Sequence, residues 1–170
     1  MPVLPPKTRR RAFSNDGGVW HRCHYDWDSD TPFPAPPRKA KSTKLLSDIN
    51  PGPGSSSPSD ILGLNNRLFF AADDGRTGRE LWSHSLRTGV SSIVRDIRKG
   101  SGIGSNPSNL VALNEQLFFA AEGDTYGREL WVSDGNLNGT QMLKDINPGG
   151  LDSNPDDLSV MNNNIFFTAT

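Results

Sequence analysis

The segment Asp134-Gly-Asn136-Leu-Asn138-Gly139 sets oxygen-bearing side chains at alternate positions and a glycine at the sixth, the D-x-[DN]-x-[DN]-G spacing that wraps a hard cation. Asp145 stands at the twelfth position, where such a loop takes a carboxylate. Asp134, Asn136, Asn138 and Asp145 are therefore candidate calcium ligands. The same residue types also build a hairpin turn closed by side chain-to-backbone bonds, and this segment joins two strand-like runs, whereas an EF-hand loop joins helices. His21-Arg-Cys23-His24 gathers two of the three histidines with the only cysteine, all competent transition-metal ligands, and Asp26, Asp28 and Asp30 follow. A structural zinc site needs four ligands at suitable spacing, and no second Cys/His pair exists.

Catalysis has less to stand on. There is no G-x-S-x-G nucleophile elbow, His84 has no counterpart elsewhere in the chain, and Gly100-Ser-Gly-Ile-Gly104 runs into Ser-Asn-Pro where a phosphate loop would open a helix. The expectation is a non-enzymatic scaffold or binding module with no cofactor beyond a candidate calcium ion; the alternatives are a calcium-binding extracellular or surface module, or part of a larger hydrolase or lectin. Asp48-Ile-Asn-Pro-Gly52 and Asp145-Ile-Asn-Pro-Gly149 offer oxygens that suit either a shared ion or the capping of loop N–H groups.

The elements that must position these residues recur. Leu68-Phe-Phe70 returns as Leu117-Phe-Phe119 and Ile165-Phe-Phe167, and Gly78-Arg-Glu-Leu-Trp82 returns as Gly127-Arg-Glu-Leu-Trp131. A repeat of 48 to 49 residues marks stacked supersecondary units, none of which buries its apolar face alone. In the clearest copy, strand-length runs at 109–113, 116–121, 128–133 and 140–146 are separated by short turns, which describes an antiparallel meander. A longer Pro-bearing linker follows each unit, as at Asn147 to Pro155. The expected fold is all-β: four-stranded antiparallel meander repeats in a partial β-propeller-like array. Trp82 and Trp131 are expected at equivalent, mostly buried positions, as packing between blades or as a stacking ring.

Asp145-Ile-Asn-Pro-Gly149, the Ser-Asn-Pro before the first strand, Leu-Phe-Phe-Ala-Ala, and Gly127-Arg-Glu-Leu-Trp-Val-Ser-Asp-Gly135 with Gly139-Thr140 together resemble the ELWxxDGT repeat family. The likeness covers roughly residues 44–170. It implies a propeller-like fold, and a secreted or surface-attached setting of the kind common in that family; it carries no general activity. Trp82-Ser-His-Ser85 and Arg98-Lys99 depart from the pattern.

The strand count suggests an open array: Lys44–Ile49 as a lone fourth strand, whole blades at 60–97 and 109–146, and a half blade at 157–170. Either the array continues beyond this chain, or Trp27-Asp-Ser-Asp30, which shares the Trp-x-Ser-Asp spacing of Trp131 to Asp134, supplies a closing strand. Open strand edges would favour self-association.

Residues 1–43 read as an irregular, basic, Pro-rich leader, of which residues 1–24 are expected to make few core contacts. The chain carries a net charge of −1, divided as about +5 over residues 1–44 and −6 over the rest. The basic residues are scattered among prolines, so no nucleic-acid partner is expected; a protein or glycan ligand is. No apolar run is long enough to span a bilayer and no signal peptide is visible, so the residues themselves leave the compartment open.

Overall fold

A computed structural model describes residues 13–15, 20–22 and 44–170 of the chain. The chain divides into Met1–Leu45 and Leu46–Thr170. In the first part, β1 (Phe13–Asn15) and β2 (Trp20–Arg22) pair antiparallel, Phe13 opposite Arg22. These two strands are the described residues of the expected leader up to residue 43. The Pro-rich run, Cys23, His24 and Trp27-Asp-Ser-Asp30 lie outside the described residues.

Residues 46–170 are all-β. A first meander holds β3 (Ser59–Leu64), β4 (Arg67–Asp73), β5 (Arg79–Ser85) and β6 (Ser91–Arg95) in sequential order. A second holds β7 (Ser108–Leu113), β8 (Gln116–Glu122), β9 (Arg128–Ser133) and β10 (Gln141–Lys144), and a hairpin of β11 (Asp156–Met161) and β12 (Asn164–Thr168) follows. The sheets are antiparallel and none closes into a barrel. The first strands neighbour one another, β3 against β7 and β7 against β11. Lys44–Ile49, expected as a lone fourth strand, carries no strand, and Leu45 and Leu46 are exposed. No third strand is present beside it among the described residues, and a strand without a ladder partner leaves its backbone groups to water.

The turns explain why the meanders form where they do. Asn65-Asn66, Asn114-Glu115 and Asn162-Asn163 each place two residues in the left-handed region, with φ between 49° and 64°. That is the two-residue hairpin whose twist matches its strands, and asparagine tolerates it better than most residues. Each first strand also carries a bulge, with Asp60, Asn109 and Asp157 at positive φ in successive sheets.

One apolar core runs through both meanders. It joins Phe69, Leu81, Val94 and Ile97 of the first to Leu117, Phe119, Ala121 and Trp131 of the second. Burying each Phe or Leu is worth about 2 kcal/mol, so neither sheet would retain its apolar contribution alone. Trp131 is 7% exposed and sits opposite Phe119. Trp82 sits opposite Phe70 but is only half-buried, so the two tryptophans are equivalent in register and unequal in burial.

Candidate functional site

The most elaborate polar construction is the junction where each linker crosses the preceding meander. Gly78 and Gly127 open β5 and β9, and the backbone of the linker lies directly on them. A Cβ at Gly78 would meet Gly104, and one at Gly127 would meet Leu151 and Asp152. The next residue, Arg79 or Arg128, reaches back to the entry of its own sheet. Arg128 donates to the Asn106 carbonyl (2.9 Å) and to Ser108 Oγ (2.5 Å), while Arg79 donates to the equivalent Ser57 carbonyl and Ser59 Oγ.

The glutamate after it is fully buried in both copies. Glu80 accepts from Ile97 N (3.2 Å), Arg98 N (3.3 Å), Ser105 N (2.9 Å) and Ser105 Oγ (2.5 Å). Glu129 accepts from Ile146 N (2.9 Å), Ser153 N (3.1 Å) and Ser153 Oγ (2.6 Å). A buried carboxylate is tolerated only when such donors replace water. Burial pushes the Glu80 carboxyl above its usual range, and the donors of Ser105, Ile97 and Arg98 pull against that rise. The serine that binds the glutamate also offers its carbonyl to the end of a second strand: Ser105 O accepts from Glu122 N and Ser153 O from Thr170 N. Sequence reasoning found the Gly-Arg-Glu string as a repeat without assigning these roles. An acid invariant between copies inside an apolar strand was the available signal.

Above the second junction lies an open basin of about 270 Å³. Arg98 and Glu122 form an ion pair on one side, and Asp124, Tyr126 and Asp152 complete the rim. Asp124 accepts from Lys99 N and Asp152 from Arg128 N, both at 2.7 Å, so each carboxylate is oriented by backbone. Tyr126 is 45% exposed. Asp96 is held above the usual carboxylate range by burial and then by the charge of Asp124, with Lys99 opposing. Asp74 is affected by burial in the same upward sense, yet the N–H groups of Thr77 and Arg76 outweigh it and leave the group below its ordinary value.

The four candidate calcium ligands do not come together. Asp134, Asn136 and Asn138 lie in the β9–β10 turn, whereas Asp145 lies beyond the other end of β10, four residues or about 13 Å of strand away. Asp134 Oδ1 accepts from Asn136 N (2.8 Å), Ser133 Oγ from Gly135 N (2.9 Å), and Thr140 Oγ1 donates to Asn136 O (2.7 Å). Two guanidinium groups of the first meander approach the same turn, Arg67 donating to Gly135 O (2.9 Å) and Arg95 to Thr140 O (2.6 Å). That charge opposes a divalent cation, and the turn serves as a contact between meanders. Asp145 Oδ2 accepts from Gly149 N (3.1 Å), a loop cap. Its Oδ1 is buried without a partner among the described residues, as are Asp96 Oδ1 and the Nε1 of Trp82 and Trp131. Among the described residues no group of three or more His, Cys, Asp or Glu is arranged to hold a metal. His84 is buried and bonds Ser91 Oγ through Nδ1 (2.8 Å), the place taken in the second meander by Ser133 and Thr140 (2.7 Å). The His21 cluster lies largely outside the described residues, and among the described residues no helix is long and apolar enough to cross a membrane.

Comparison with family models, with curated proteins and with solved structures found no match to this chain.

Proposed function

We propose that the chain is a non-enzymatic, propeller-like repeat scaffold that binds a glycan through the basin between its second meander and the following linker. The observation that carries this reading is the division of labour at the junction. The Gly-Arg-Glu string, its glutamate buried, is identical in both copies, while the turn it supports changes from Asp73-Asp-Gly-Arg-Thr-Gly78 to Glu122-Gly-Asp-Thr-Tyr-Gly127. A fixed frame beneath a varied loop is how repeat proteins change ligand without changing core. The second loop sets the exposed ring of Tyr126 among the backbone-anchored acceptors Asp124 and Asp152, which suits a sugar stacked on its apolar face with hydroxyls donating to carboxylates. The resemblance to ELWxxDGT repeats supports the scaffold half of this reading and is silent on the ligand.

The test is a printed oligosaccharide array probed with the labelled chain, with Tyr126→Ala and Asp124→Asn as controls. The expected result is a selective saccharide signal that falls at least about tenfold in either variant, the loss of one good contact of roughly 1.4 kcal/mol, with the melting temperature unchanged. No saccharide signal, or one indifferent to both substitutions, would overturn the basin as the site.

A further inference from the structure

We infer that a cleft between two turns of the first meander binds an ester-linked sulfate or phosphate, at a site separate from the basin. The cleft, of about 530 Å³, is lined by Asn65, Asn66, Arg67, Ser85 and Arg87. That volume falls in the range of about 300–1,000 Å³ that small-molecule ligands fill, which is room for a substituted ester rather than a bare ion. Arg67 opens β4 and stands opposite Ser85, the last residue of β5. Leu86 N donates to Asn66 O (2.9 Å), so the turns after β3 and β5 are tied together and present their side chains to one space. The basin lies toward the other end of the equivalent strand in the second meander, beside Glu122, the last residue of β8.

Charge selects the ligand. Residues 45–170 carry fifteen Asp and Glu against nine Lys and Arg, yet two arginines and no acid line this cleft. Arg67 is held in place by Gly135 O (2.9 Å) and Ser83 Oγ (2.8 Å), and its guanidinium carbon lies 5.3 Å from the centre of the Phe69 ring. Those hydrogen bonds use two of its five N–H donors and involve no carboxylate. Arg87 is exposed, and the ion pair found among the described residues, Arg98 with Glu122, includes neither arginine of the cleft. Ser85 Oγ accepts from Thr88 N (3.2 Å), which leaves its hydroxyl proton to donate. Guanidinium, amide and hydroxyl donors from two turns suit the three terminal oxygens of a sulfate or phosphate monoester, a group that arginine forks grip in pairs of bonds. Forty-nine residues on, the same positions hold Asn114, Glu115, Gln116, Asp134 and Asn136. The second meander builds its turns there with two acids and no base, so the turn that carries Arg87 does not require it.

The second copy supplies the test. The isotope-labelled intact chain is titrated with phenyl sulfate, phenyl phosphate, benzoate and phenol, and the amide resonances of Asn65, Asn66 and Arg87 are followed by NMR. Both esters should give saturable shifts there that weaken as salt is raised, and the tighter of the two names the source of the oxyanion; phenol should give none. Arg87→Asn and Asn66→Glu place the second copy's residues at exposed positions, so the melting temperature should hold while affinity for the esters falls at least about tenfold, the loss of one good contact. Arg87→Lys keeps the charge without the fork and should lose less. The proposal is overturned if no shift saturates, if benzoate or phenol binds as tightly as the esters, or if affinity is indifferent to both substitutions. Shifts confined to Tyr126 would overturn it too and assign the esters to the basin.

Discussion

Glu80 and Glu129 hold their linkers with acceptor oxygens alone, and the described donors are backbone N–H groups and serine hydroxyls rather than a countercharge. Truncating such a group takes one acceptor from every donor that faced it. Glu129→Ala leaves Ile146 N–H without its acceptor and Ser153 N–H and its hydroxyl with the Arg128 carbonyl alone, so a loss of about 2 kcal/mol is expected in urea denaturation. A loss under about 1 kcal/mol would mean that water replaces the carboxylate easily and that the clamp is incidental. At Glu80 the balance shows in pH. Burial raises its folded value above the ordinary 4.5, so between the two values the folded chain keeps a proton that the unfolded chain has released. The stability tied to that proton is complete below the ordinary value and is lost as pH rises through the folded one. Thermal melts should therefore show the advantage of wild type over Glu80→Gln shrinking as pH climbs from about 4 toward neutrality. An advantage that grows instead would show the four donors winning over desolvation.

At the scale of elements, hairpin position is set by two-residue turns, and those turns are unequal. Asn65-Asn66 and Asn162-Asn163 carry residues that tolerate the left-handed region, but the second turn places Glu115 there at φ 64°. A longer side chain with no local bond to offer pays more strain in that region than glycine does. Glu115→Gly is expected to stabilise the chain by about 0.5 kcal/mol, the relief of strain exceeding the added freedom of the unfolded chain. Chemical denaturation of the two forms measures it, and a less stable variant would show that Glu115 makes a compensating contact. The same turns show why the meanders were legible in the sequence: Asn-Asn, Asn-Glu and the intervening Leu-Phe-Phe runs are local signals of local structure. The stretch 44–49 misled for the opposite reason. It reads like β6 and β10, yet a strand exists only beside its partner, and that information is not local.

For the whole molecule, the candidate site was the least legible part. The calcium pattern at Asp134 followed spacing along the chain, whereas the fold puts Asp145 at the far end of a strand and brings Arg67 and Arg95 to the turn from 45 to 68 residues away. The basin at Asp124, Tyr126 and Asp152 combines one turn with the linker of the same repeat, residues that no motif groups together. Non-local contact of this kind also orders events in time. The acceptors of Glu80 are filled by amides 17 to 25 residues downstream, and those of Glu129 by amides 17 and 24 residues downstream. As the chain leaves the ribosome, each meander is therefore finished by residues synthesised after it. Completion proceeds from the N-terminal sheet toward the C-terminal one, each carboxylate waiting in water until the segment that will cover it has emerged.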